Sequence, residues 1–205
     1  MQGFILKITK SIREDVIVKV LTQGHYHTLY RFYGARHNIL YTGREIDFEI
    51  ENQGVHIPKL RNLTHLPKPY EVELDKVYVW QQFCALLDKH LHEAKQIESF
   101  YFELMEHSVT LLHRQNARRL ICSMYASLLE FEGRLYREDS CFACGALLHE
   151  FVALTRGFLF ACPSCVTTPI IMSKQLMLDF YETKSLINID DINCDRIYEV
   201  VLQGL

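Results

Sequence analysis

Four of the seven cysteines form two pairs, Cys141-Phe-Ala-Cys144 and Cys162-Pro-Ser-Cys165, with seventeen residues between them. Two C-x2-C knuckles at this separation have the spacing of a tetrahedral four-thiolate zinc site. The two-residue gap turns the chain so that both sulfurs of a knuckle face one point. Pro163 stiffens the second knuckle. Apolar runs from Phe151 to Phe160, broken at Thr155-Arg156-Gly157, predict a hairpin joining the knuckles. Cys141, Cys144, Cys162 and Cys165 together close the shell and leave no position for a catalytic water. The expected role is therefore structural, with one Zn2+ per chain. A redox dithiol pair or an emptied site is the competing reading of the same spacing. His149, between the knuckles, is the alternative to one of the cysteines as a ligand but reads as a surface residue.

No other constellation argues for catalysis. The chain has no G-x4-GK[ST] loop, no G-x-G-x-x-G, no G-x-S-x-G and no H-E-x-x-H. His25 and His27 share a strand face but lack a third ligand nearby, and Cys84, Cys122 and Cys194 read as core thiols. The expectation is a protein that is not an enzyme. Charge is uneven: residues 1–44 carry seven Lys/Arg against Glu14 and Asp15, whereas residues 45–75 carry three against seven acids. Aromatic side chains interleave with the basic ones in Tyr26, Tyr30, Arg31, Phe32, Tyr33, Arg36, His37, Tyr41 and Arg44. Rings that stack bases beside cations that follow phosphates are the composition of a single-strand platform. Lys7 and Lys19, on the first two strands, join Tyr30, Arg31, Arg36, His37 and Arg44 as candidate DNA-binding residues.

The elements that would hold these groups follow from periodicity. Phe4, Leu6 and Ile8 alternate with Ile5, Lys7 and Thr9; Val16, Val18 and Val20 alternate with Ile17, Lys19 and Leu21. A third strand runs from His25 to about Tyr33, a fourth over Glu45–Glu51 and a fifth from Leu60 to Leu66. Five short strands separated by turn residues predict an OB-fold-like barrel over 1–70, with an SH3-like barrel as the close alternative. Pro67-Lys68-Pro69 marks a boundary. Beyond it, stripes at Trp80, Phe83, Leu87, Leu91, then Ile97, Phe100, Leu104, Leu111, then Ala117, Leu120, Ile121, Met124, Leu128 predict three helices. Ser173–Lys184 and Asp190–Gln203 predict two more. The class is thus α+β: a barrel at 1–70 and a helical domain at 71–205 with a zinc element embedded at 141–165. No segment reads as a secretion signal or membrane span, and seven cysteines, an odd number, suit a reducing cytoplasm.

The order of these parts resembles the RecO family. Gly3-Phe4-Ile5-Leu6 followed by Glu14-Asp15-Val16-Ile17-Val18 is similar to the family's opening strands, and Gly34-Ala35-Arg36 to its basic loop. Ala117-Arg118-Arg119-Leu120, running into Cys141, is similar to its Arg-Arg helix before the first knuckle. The resemblance implies a recombination mediator that binds single- and double-stranded DNA and anneals complementary strands. Such a protein helps RecR load RecA, an indirect partner, onto DNA coated by single-strand-binding protein. It implies that Arg114, Arg118 and Arg119 take the acidic C-terminal tail of the coating protein, and a cytoplasmic, nucleoid-associated place. The loop after Arg36 reads His37-Asn38-Ile39-Leu40, with fewer cations than the family's, which predicts weaker and less salt-steep DNA binding. A protein-interaction adaptor with structural zinc and incidental DNA affinity is the alternative.

Overall fold

A computed structural model describes residues 1–11, 13–36, 38–92 and 94–205, which fall into two compact units, Met1–Arg114 and Gln115–Leu205. The first unit begins with β1 (Gln2–Lys10), β2 (Val16–Thr22), β3 (His25–Arg31), β4 (Glu45–Gln53) and β5 (His56–His65). They close a barrel in the order β1-β2-β3-β5-β4, with β4 returning antiparallel to β1. This is the OB-fold-like barrel that the alternation predicts. Ile5, Val18, Val20, Leu29, Ile46, Phe48 and Leu60 fill its interior. β3 and β5 run parallel and meet at one pair, Tyr30 and Lys59.

Two details of the barrel differ from simple alternation. The β1–β2 register shifts between Ile5 and Lys7, so Ile5 faces Val20 and Ile8 faces Val18 although their spacing is odd. The bulge reverses the phase of β1 and frees Phe4 to point outward. The fifth strand starts at His56, earlier than expected, because the β4–β5 register shifts between Glu51 and Gln53 and accommodates Pro58.

The outer face of β1 is covered by α1 (Leu74–His90) and α2 (Phe100–Leu112). Phe4 lies 6.3 Å from Trp80 and 5.6 Å from Phe102, centroid to centroid. Gly43 anchors this layer: its carbonyl accepts from Trp80 Nε1 and Tyr70 Oη, both at 2.9 Å. Its φ is +91°, and a Cβ there would sit 2.6 Å from Trp80 Cδ1. On α1 the predicted stripe Trp80, Phe83, Leu87, Leu91 is buried. On α2 the buried stripe is Phe102, Met105, Val109, Leu112, rotated from the one expected. Phe100 and Leu104 stay half-exposed because Phe102 meets Phe4.

The second unit holds α3 (Ala117–Phe131), β6 (Phe151–Thr155), β7 (Leu159–Ala161), β8 (Ile170–Ser173), α4 (Lys174–Thr183) and α5 (Asp191–Leu202). β6 and β7 form the expected hairpin, and β8 adds an unforeseen third strand in the order β7-β6-β8. Tyr181 stacks against Phe158 and Phe160 at 5.7 and 5.5 Å and donates to the Phe158 carbonyl at 2.8 Å. Asn116 caps α3 and Asp190 caps α5, each accepting backbone N–H groups of the first turn. Among the described residues no helix is long and apolar enough to cross a membrane.

Candidate metal centre and nucleic-acid surface

The hairpin brings the two knuckles together. One sulfur each from Cys141, Cys144, Cys162 and Cys165 lies within 4.8 Å of all the others, and this all-cysteine group is the one metal-capable cluster among the described residues. Cys144 and Cys162 Sγ are 3.8 Å apart, the separation of two thiolates each about 2.3 Å from a tetrahedral zinc. Cys141 is buried, Cys162 half-buried, Cys144 and Cys165 exposed. The Cys162 N–H donates to Cys141 Sγ at 3.2 Å. Burial raises the Cys141 pKa, but the backbone N–H groups of Cys162, Cys144 and Ala143 outweigh it and hold the thiol at about 6. Cys162 is pushed up to about 12 by burial and by its thiol neighbours. The second knuckle's Cys165 N–H closes a turn onto the Cys162 carbonyl at 2.9 Å. The donor set fits a soft divalent cation, which would neutralise four crowded sulfurs.

The barrel candidates separate into four places. Lys7 and Lys19 face each other across β1 and β2, and both reach the buried carboxylate of Asp88 on α1, at 3.0 and 3.1 Å. Tyr26 Oη donates to the same carboxylate at 2.6 Å. Arg31 points inward at the barrel end and donates to the Leu60 carbonyl at 2.9 Å. Arg44 donates to the Asn38 and Ile39 carbonyls, pairs with Glu71 at 3.3 Å and lies over Tyr41 at 5.6 Å.

The remaining candidates form an exposed cluster at the end of β3. Tyr30 donates to Asp15 and packs edge-on against Phe32 at 5.0 Å. Lys59 Nζ sits 4.8 Å over the Phe32 ring. Tyr33 is 59% exposed and held at φ +49°, a left-handed conformation rare for a bulky residue. Asp15 fixes it by accepting its N–H at 2.7 Å. Arg36 lies 5.4 Å over Tyr33 and pairs with Glu14. The preceding Gly34 is required by close approach, since a Cβ would lie 2.3 Å from Val16 Cγ2. His37 lies outside the described residues. Sequence reading missed Lys59, because Pro58 hid the start of β5, and missed Asp88, which sits on an otherwise apolar helix face.

In the second unit, Arg118 pairs with Asp195 at 2.7 Å and lies over Tyr198 at 5.7 Å. Arg119 donates to the Leu186 and Ile189 carbonyls and pairs with Asp191 at 2.9 Å. These contacts join α3 to the start of α5. In the first unit, Arg114 Nε donates to His113 Nε2 at 3.0 Å.

Residues 1–71 match the family model described as RecO N terminal. No curated protein matches the chain. The matched segment is the closed barrel with its exposed aromatic and basic cluster, so residues 1–71 form a RecO-type N-terminal domain, which supports a role in DNA recombination and repair.

Proposed function

We propose that this chain is a non-enzymatic recombination mediator that binds DNA and anneals complementary strands. In this reading it helps RecR load RecA onto DNA coated by single-strand-binding protein. The observation that carries the reading is the RecO N-terminal match on a closed barrel whose exposed end holds Phe32, Tyr33, Lys59 and Arg36. Bases stack on the two rings, and the cations beside them take the backbone phosphates. Asp15 positions the platform through Tyr30 and Tyr33. Glu14 holds Arg36 until a phosphate displaces it, which supports modest affinity in place of tight, sequence-specific binding.

In the second unit, Cys141, Cys144, Cys162 and Cys165 hold one Zn2+. The ion supplies no reaction; it ties the two knuckles at the root of the β6–β7 hairpin, as four-thiolate sites do. Arg118 and Arg119 remain the candidates for the acidic tail of the coating protein. Their present carboxylate partners, Asp195 and Asp191, are groups that such a tail would imitate.

The adaptor alternative draws on the same ion pairs, because Lys7, Lys19, Arg36 and Arg44 each already face a carboxylate. Fluorescence anisotropy with a labelled oligothymidine decides between the readings. Phe32→Ala with Lys59→Ala should weaken binding by at least tenfold, from loss of a stacked base worth about 1–3 kcal/mol and one cation. Arg36→Ala should flatten the salt slope by about 1. Equal binding by wild type and the Phe32/Lys59 variant at low salt would favour the adaptor.

A further inference from the structure

Because β3 and β5 touch at the Tyr30–Lys59 pair, the strands part toward His25 and leave a hollow of about 460 Å3. Lys19, His25, His27, Thr28, Asn52 and Lys95 give it its polar lining, and no carboxylate lines it. The segment carrying Lys95 closes the near edge, since the Tyr26 N–H donates to the Lys95 carbonyl at 3.0 Å and the Ile97 N–H to the Gly24 carbonyl at 3.1 Å. Lys95 is exposed and has no ion-pair partner among the described residues. Lys19 is held by Asp88, which divides its charge between Lys19, Lys7 and the Tyr26 hydroxyl. On its other side His25 borders a second hollow that includes His90 and Glu98.

The two imidazoles stack at 5.6 Å, 15° from parallel. Thr22 donates its one hydroxyl proton to the His25 carbonyl at 3.3 Å, so at 3.0 Å it accepts from His27 Nε2–H. Neutral His27 then carries its lone pair on Nδ1, and protonation there adds a donor. Burial, and then His25, lower the His27 pKa. An anion between the rings and the two lysines would reverse that preference, because it stabilises both imidazolium ions.

We infer that this hollow is a second contact for a single nucleic-acid strand, taking a backbone phosphodiester between Lys95, Lys19 and the paired imidazoles of His25 and His27. The inference rests on the proposed DNA-binding function. His27 is five residues from Phe32, about 16 Å of chain at strand rise, so one short oligonucleotide spans both. A strand stacked on Phe32 and Tyr33 would follow β3 along the open seam to reach it.

The test is a pH titration of the histidine resonances by NMR on the full chain, alone, with oligothymidine and with inorganic pyrophosphate. His25→Gln and His27→Gln assign the signals, and the emission of Trp80 checks that each variant is folded. Oligothymidine should raise the His27 midpoint by about one unit, equivalent to about tenfold tighter binding at acidic than at basic pH. The double variant should lose that gain while keeping its sensitivity to Phe32→Ala. Binding that depends on Phe32 with unmoved histidine midpoints would overturn the inference and leave the proposed function standing. Moved midpoints with no effect of Phe32→Ala would uphold the hollow and remove the aromatic platform. Midpoints moved by pyrophosphate but not by oligothymidine would make the hollow a free-anion pocket and overturn the strand path. Absence of oligothymidine binding at every pH would overturn both.

Discussion

Asp88→Asn isolates the electrostatic joint between the barrel and its covering helix. The substitution keeps the shape of the side chain and an acceptor for Tyr26, but removes the charge that two lysines share. Lys7 and Lys19 are directly paired across β1 and β2, and without Asp88 they become like charges facing each other. Removing one partner of a fully buried pair costs about 3–5 kcal/mol, whereas an exposed pair is worth under about 1. The Asp88 side chain is 4% exposed, Lys19 20% and Lys7 49%. The Lys7 pair therefore counts near the surface value and the Lys19 pair nearer the buried one, for a loss of about 2–3 kcal/mol.

Urea unfolding followed by the emission of Trp80 reads this directly, because it is the one tryptophan and is fully buried in the same unit. With a slope of about 1–2 kcal/mol per molar, the midpoint should fall by about 1.5 M. The pH dependence has a definite sign. Burial raises the Asp88 pKa, but Tyr26, Lys7 and Lys19 outweigh it and hold the carboxyl below its usual range. Its contribution is present above the unfolded pKa, near about 4, and is lost as pH falls through the lower folded value. The gap between wild type and Asp88→Asn should stay constant at neutral pH and close only in strong acid. A midpoint shift below about 0.3 M, or a gap that closes near neutrality, would refute the reasoning.

Other outcomes are equally specific. Metal analysis should find one zinc per chain, and chelation should unfold the Gln115–Leu205 unit, since structural zinc supplies about 10–16 kcal/mol in finger peptides; a metal-free chain of unchanged stability would contradict the assignment. Gly43→Ala should cost at least about 2 kcal/mol in the Trp80-monitored transition, because it combines left-handed strain with a Cβ pressed on Trp80. Arg119→Ala should abolish capture of an acidic tail peptide of single-strand-binding protein and also lower thermal stability, given its contacts to Leu186, Ile189 and Asp191. Arg118→Ala, with one exposed ion pair, should weaken capture with little change in melting.

The barrel and the metal cluster were legible in the sequence for different reasons. Knuckle spacing is a local constraint, and Cys141 to Cys165 converge as spacing demands. Period-two alternation in β2 and β4 likewise marked Val18, Val20, Ile46 and Phe48 as interior. The failures arose where tertiary packing overrode local pattern. A bulge after Ile5 reversed the phase of β1, which has apolar residues on both faces. α2 is apolar on two sides, so its sequence supports two stripes, and contact with Phe4 selects the one through Phe102. The candidate cations were found as charges, but their partners were not. Asp88 lies 69 residues from Lys19 in sequence, and pairing at that range leaves no periodic trace. Lys59 became part of the aromatic cluster only through the β3–β5 contact, a long-range closure.

The most direct measurement is fluorescence annealing of two complementary oligonucleotides by the purified chain, with and without single-strand-binding protein, read alongside strand length on a denaturing gel. The account predicts accelerated annealing at low salt, diminished by Phe32→Ala with Lys59→Ala, with both strands intact. No association with either strand at low salt, or shortened products without added nuclease, would contradict it.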